Sequence, residues 1–187
     1  MGRFISSCIV VLLAFTAPSA QYMQPVRAVV TIEDVPTIPE VKPFDLMTKD
    51  QQRQVMCLAD NVYYEAGIES DTGKVAVAMV TMNRVKSGKY PSDVCSVVRQ
   101  QKWGKCQFAW WCNWRKRTEA LRVSLEIRQS PRYQRSKEVA MEVFQNHELL
   151  TDVTNGAMYF HECRSAPVWR RALVRTVQIG RHIFYKV

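Results

Sequence analysis

Three groups of residues in this chain have the types and spacing to do chemistry: a glutamate ending an apolar stripe, an aromatic run holding one amide, and two histidines close to a cysteine near the C-terminus. Glu65 lies seven residues after Leu58 and three after Val62, so at helical spacing it continues the face formed by Val55, Leu58, Ala59 and Val62. Gly67 follows as a helix stop. A carboxyl partly desolvated there, beside Tyr63 and Tyr64 and at the negative end of the helix dipole, has its pKa raised by both effects. That suits a general acid working near neutral pH. The same periodicity also fits a helix-end glutamate whose head reaches water. The run Gln107-Phe-Ala-Trp-Trp111, with Trp103 and Trp114 around it, reads on its own first as core. His161, Cys163 and His182 supply a nucleophile and two bases, but no motif of a thiol enzyme surrounds them. No cysteine pair has CxxC spacing, and Cys106 and Cys112 stand too far apart for a zinc knuckle, so neither a metal nor another cofactor is expected.

The elements that must position these groups are mostly helices. Thr48-Lys-Asp-Gln51 is a capping box that opens the helix carrying Glu65. Gly73 to Val85 is apolar around nearly its whole circumference, which predicts a central buried helix, with Ser70, Asp71 and Thr72 available to cap it. Ser92 is placed to cap a short third helix, Trp103 to Trp114 reads as an aromatic loop, and Thr118 to Gln129 as a charged surface helix. Ser130-Pro131 opens a longer helix with Val139, Ala140, Val143 and Phe144 on one face, broken by Thr154-Asn-Gly156. The tail changes to short strands at Ala157–His161, Leu173–Ile179 and His182–Val187, with a two-residue turn at Gly180-Arg181. The class is α+β, mostly helical, with a small antiparallel strand element.

Length and composition, 187 residues with 47% apolar, predict one folded domain and a monomer. Residues 1–20 have a basic start at Arg3, an apolar run from Ile9 to Phe15 and small residues at Ala17-Pro-Ser-Ala20, as in a signal peptide or signal anchor. Residues 21–47 carry four prolines and no glycine and read as an extended spacer. Residues 48–187 then form the folded domain, exported to the periplasm, envelope or medium. Export implies an oxidising compartment, where Cys57, Cys95, Cys106, Cys112 and Cys163 leave at least one thiol over, and a Cys95–Cys106 bridge is the favoured pairing. The net charge of +9 is uneven: no acidic residue follows Glu162, whereas six basic ones do. An acidic partner is implied. Export favours anionic envelope polymers or lipids over nucleic acid.

Five blocks in order carry a resemblance. Asn61-Val-Tyr-Tyr-Glu-Ala66, Val80-Thr-Met-Asn-Arg-Val85, Val94-Cys95 followed by Cys106-Gln-Phe-Ala-Trp110, Gly156-Ala-Met-Tyr-Phe-His161 and Ile179-Gly-Arg-His-Ile-Phe-Tyr185 resemble the successive blocks of SleB-like cell wall hydrolases. The resemblance implies a fold like that of lysozymes and lytic transglycosylases and cleavage of peptidoglycan between N-acetylmuramic acid and N-acetylglucosamine. It places the catalytic glutamate on Glu65. It makes Gln107, Phe108 and Trp110 a sugar platform, aromatic faces meeting sugar C–H faces and the amide reading hydroxyl or acetamido groups. Tyr64, Asn83, Tyr159 and His161 become further substrate-binding candidates. This chain departs from the family where Ala66-Gly-Ile-Glu69 replaces an Ala-Arg-Gly-Glu string and Tyr64 replaces a common histidine. Ordinary glycoside hydrolysis uses two carboxyls roughly 5 to 10 Å apart, and only one stands in a motif here. A lytic transglycosylase needs one, since the muramoyl 6-hydroxyl attacks its own anomeric carbon and gives a 1,6-anhydro product. Glu69, Asp71 and Glu162 stay open as partners in a hydrolytic version, and a non-catalytic wall-binding module is the remaining alternative.

Overall fold

A computed structural model describes residues 40–115 and 120–187, with side chains given outside 114–124; the expected signal segment and most of the expected spacer lie outside these residues. Helix α1 (Lys49–Ala66) opens with the capping box in full: the Thr48 side chain accepts from the Gln51 N–H, and the Gln51 side chain accepts from the Thr48 N–H. Its buried face is Val55, Leu58, Ala59, Val62 and Ala66. Gly67 ends it in a right-handed conformation (φ −57°) with its N–H donated to Tyr63. Lack of room for a Cβ against the Tyr63 carbonyl, not a left-handed stop, is what calls for glycine there. The chain before α1 is also part of the fold: Lys42 exchanges backbone hydrogen bonds with the Gln145 side chain, and Lys137 lies 3.8 Å from the centre of the Phe44 ring.

Helix α2 (Asp71–Lys86), capped by Ser70, explains its own composition. Ala78, Met79 and Met82 belong to the helical core with α1 and with Val94, Val97, Val98, Tyr133, Val139 and Val143, whereas Ala76 and Val80 pack against Ala157 and Phe184 of the sheet side. A helix shared between two cores has no solvent face, hence its apolar circumference. Helix α3 (Val94–Val98) is capped by Asp93, not by Ser92 as expected; the Asp93 carboxylate accepts from the Ser96 N–H at 3.0 Å. Helices α5 (Ala120–Gln129) and α6 (Pro131–Asn146) follow, the latter capped by Ser130 with proline in its first turn.

The expected aromatic loop is instead a hairpin and a helix. Strands β1 (Gln101–Lys102) and β2 (Lys105–Cys106) pair across a turn in which Trp103 and Gly104 both take positive φ, 50° and 73°. Helix α4 (Ala109–Arg115) comes next. Two-residue strands carry no readable alternation, which is why the sequence pattern hides them. The second sheet is β3 (Tyr159–Glu162), β5 (His182–Lys186) and β4 (Val174–Ile179), antiparallel in that spatial order, with Gly180 and Arg181 turning β4 into β5 as expected. Register pairs Phe160 with Phe184 on the face toward α2, and Tyr159 with Tyr185 on the other.

Two disulfides replace the expected Cys95–Cys106 bridge: Cys57–Cys95 and Cys106–Cys112, with Cys163 free and exposed. Packing of α3 on α1 decides the first, since Gln54 accepts from the Cys95 N–H at 3.0 Å and the two Cα atoms stand 5.2 Å apart. Non-reducing peptide mapping will recover these two links. Removing Cys57–Cys95, which spans 38 residues, will cost about 4 kcal/mol of unfolding free energy, and removing the link spanning 6 residues about 2 kcal/mol, read from denaturant midpoints.

Candidate active site

Glu65 stands in the last turn of α1, largely buried. Burial pushes its carboxyl up to about 7, against the opposing pull of the Arg84 cation. Among the described residues no hydrogen bond or ion pair engages that carboxyl. Arg84 comes from the end of α2 and is only 4% exposed. Its Nε donates to the Met158 carbonyl at 2.8 Å, and its guanidinium lies 5.0 Å from the Phe108 ring centre, 5.2 Å from Tyr90 and 5.9 Å from Tyr159. Its Nη1 has no hydrogen-bond partner among the described residues. Burial lowers the Arg84 pKa, while the charges of Tyr90, Tyr159 and Glu65 oppose that shift. The result is a carboxyl that exchanges its proton close to neutral pH and faces a fixed positive charge once it gives the proton up.

Tyr64, next to the acid, stacks on Trp110 with centroids 4.6 Å apart and planes 16° from parallel. The Trp110 indole N–H donates to Asn61 at 2.9 Å, and the Asn61 amide donates to Thr81 at 3.1 Å, so hydrogen bonds tie this aromatic pair to α2. Beside the pair opens a pocket of about 120 Å³, whose lining includes Asp60, Arg99, Trp111 and Arg128. The other predicted residues divide. Gln107 is exposed, its backbone N–H donated to the Gln100 carbonyl at 3.0 Å, Tyr159 is half-buried against Arg84, and Phe108, at 2% exposure, lies beneath Arg84 and is not an accessible wall. Asn83 spends its amide on Asp152 (2.9 Å) and the Ala157 carbonyl (3.0 Å), holding the loop that leads into β3. His161 is satisfied internally: Nδ1–H donates to the Glu162 carbonyl at 2.8 Å, which leaves Nε2 to accept from the Tyr185 hydroxyl at 3.1 Å. Asn83 and His161 therefore both support the fold.

A family model described as cell wall hydrolase matches residues 68–185. This chain belongs to the cell wall hydrolase family. The catalytic domain of the SleB protein of Bacillus cereus is 26% identical with a TM-score of 0.52, the match covering 72% of this chain and 91% of that one. The catalytic domain of the germination-specific lytic transglycosylase SleB from Bacillus anthracis shares the fold, at 24% identity and a TM-score of 0.53, covering 72% of this chain and 95% of that one. No curated protein matches. The family match begins at Ile68, three residues past Glu65, so the glutamate stands on its own geometry within this hydrolase.

The hydrolase commits its other nearby carboxyls elsewhere. Glu69 accepts from the Arg181 Nε at 2.7 Å and from the Arg181 backbone N–H at 3.3 Å; burial raises its pKa, but those hydrogen bonds outweigh it and the net shift is downward. Asp71 is held low by Arg135, whose guanidinium is 2.9 Å away. Glu162 is exposed, 3.9 Å from Arg181. Asp60, which the apolar pattern does not flag, has its pKa raised chiefly by burial and accepts from the Tyr133 hydroxyl at 2.6 Å and from Arg128 at 3.1 Å. The thiol reading finds no support: among the described residues no hydrogen bond joins Cys163 to His161 or His182.

A folded-state pKa above the unfolded value means that ionising Glu65 costs the folded state. Its contribution is fully present below about pH 4.5 and is lost as pH rises to about 7. Glu65→Gln will therefore gain stability relative to the parent over that window, by at most about 3 kcal/mol above pH 7 and by nothing near pH 4, measured by denaturant unfolding across pH.

Proposed function

We propose that this hydrolase cuts peptidoglycan glycan strands between N-acetylmuramic acid and N-acetylglucosamine as a lytic transglycosylase, with Glu65 as its acid and base. One observation carries the reading: Glu65 alone among the carboxyls around the site combines a pKa lifted to about 7 with the absence of any hydrogen-bond or ion-pair partner among the described residues. Protonated Glu65 donates to the bridging oxygen as the bond from that oxygen to the muramoyl C1 breaks, leaving oxocarbenium character at C1. The resulting carboxylate, opposite the Arg84 cation, takes the proton of the muramoyl 6-hydroxyl while O6 bonds to C1. The glutamate ends protonated, and no water is consumed. A hydrolytic muramidase would need a second carboxyl to activate water, but Glu69, Asp71, Glu162 and Asp60 are held by arginines or, for Asp60, also by Tyr133.

The Tyr64–Trp110 pair supplies a flat wall for a sugar face, and Gln107, just before the helix that bears Trp110, an exposed amide. The substrate lies outside the cytoplasmic membrane, which residues 1–20 would serve as an export signal. Among the described residues no helix is long and apolar enough to cross a membrane.

Mass spectrometry of fragments released from purified sacculi tests the reaction. The expected product ends in a 1,6-anhydro muramic residue; reducing muramic ends would assign hydrolysis instead. Glu65→Gln will lower the release rate by about two to four orders of magnitude. In the parent enzyme kcat/KM will fall as pH rises through about 7, where the acid loses its proton.

A further inference from the structure

The chain between β3 and β4, together with the start of β4, is a strap carrying charge that nothing in the fold uses. Arg164, Arg170, Arg171 and Arg175 are exposed, and none forms an ion pair with a described carboxylate. Arg175 reaches only the neutral Gln178 amide, at 3.0 Å. The strap is nevertheless fixed in place. At its start, the Cys163 N–H donates to the Arg181 carbonyl at 2.7 Å and the Ser165 hydroxyl to the Glu162 carbonyl at 2.9 Å. At its centre, Trp169 covers the outer face of the sheet, with ring centroids 5.8 Å from Tyr159, 5.6 Å from His161 and 5.7 Å from Tyr185.

That anchor also locates the strap relative to the acid. Tyr159 touches both Trp169 and the Arg84 guanidinium that faces Glu65, so Arg170 and Arg171 are displayed two ring contacts away from the buried cation of the site. A substrate strand held at Glu65 brings more than sugar rings. Each muramoyl unit bears a lactyl-linked peptide stem, and those stems end in carboxylates. An exposed guanidinium pairs with a carboxylate through two parallel hydrogen bonds, and although one such pair contributes little, a polymer presenting carboxylates at regular intervals engages several at once.

We propose that the Arg164–Arg175 strap binds the carboxylates of the peptide stems, making this hydrolase selective for glycan strands that still carry their peptides. The inference rests on the glycan-cleaving reading above. An anionic lipid surface is the competing occupant, and Val168 at 81% exposure would favour it. The tie of Trp169 to Tyr159, beside the acid, favours the substrate strand.

The test uses binding, so that its outcome is separate from cleavage. Full-length Glu65→Gln protein is mixed with purified sacculi, either untreated or with their stem carboxylates converted to neutral amides by carbodiimide and ammonia, and the bound fraction is measured by co-sedimentation. Untreated sacculi will hold it about five- to tenfold more tightly at low salt, a difference that vanishes at about 0.5 M salt. Adding Arg170→Gln and Arg171→Gln will bring binding to untreated sacculi down to the amidated level, whereas Lys at both positions will keep most of the difference. Equal binding to untreated and amidated sacculi, or no effect of the glutamine pair, overturns the proposal. So does a glutamine pair that releases the protein from phosphatidylglycerol vesicles while leaving sacculus binding intact, which assigns the strap to lipid. If Glu65→Gln itself still released fragments, the glycan-cleaving assignment of Glu65 would fail, a result that sacculus binding does not touch.

Discussion

A guanidinium at 4% exposure has lost most of its water, and the solvation it lost has to be replaced by the protein around it. The replacements come from separate parts of the chain: the Met158 carbonyl at the entrance to β3, the ring of Tyr90 after α2, and Phe108 beside the β1–β2 hairpin. Arg84 thus draws the sheet, the helical core and the aromatic segment to one point, and Glu65 shares that point. The acid is lifted by the same dry surroundings that make the arginine costly to bury, and the arginine keeps the lift from removing the carboxylate form altogether. A carboxyl under both influences can lose its proton and regain it near neutral pH.

Around this pair the arrangement is one of exclusion. Arg181 ties Glu69 to the β4–β5 turn so closely that Gly180 has no room for a side chain against that carboxylate. Asp71 and Arg135 join α2 to α6, and Asp60 joins α1 to Arg128 and Tyr133. Each ion pair fastens two elements together and occupies a carboxylate; for Glu69 and Asp71 the pairing also holds the pKa down, whereas burial leaves that of Asp60 raised. Specialisation of one glutamate is thus a result of how its neighbours are spent, as much as of its own burial.

Periodicity and capping made α1, α2, α6 and the final hairpin legible, because each has a strong signal: a capping box before Glu65, an all-round apolar run, Ser130-Pro131, and Gly180-Arg181 between alternating segments. The inward setting of Glu65 was legible for the same reason. Pairings between distant positions were not. The Cys57–Cys95 link depends on α3 settling against α1, and Arg84 reads in one dimension as the basic end of a helix until the rings that bury it are assembled from three places in the chain. The internal partners of Asn83, Phe108 and His161 were equally hidden: Asp152, the core and Tyr185 meet them only through the folded chain.

The placement of the disulfides divides the domain by local stability. Both lie in the helical part, one joining α1 to α3 and the other joining β2 to α4, the helix that bears Trp110. Among the described residues the three-stranded sheet and its strap have no disulfide: the sheet is held by the packing of Phe184 and Ala157 on α2 and by the Arg181–Glu69 pair, and the strap by ring contacts and a handful of hydrogen bonds. Opening fluctuations concentrate where cross-links are absent and the backbone is exposed. The helix that bears Trp110 is therefore cross-linked into the stiffer part of the domain, while the segment after β3 keeps its place through non-covalent contacts alone.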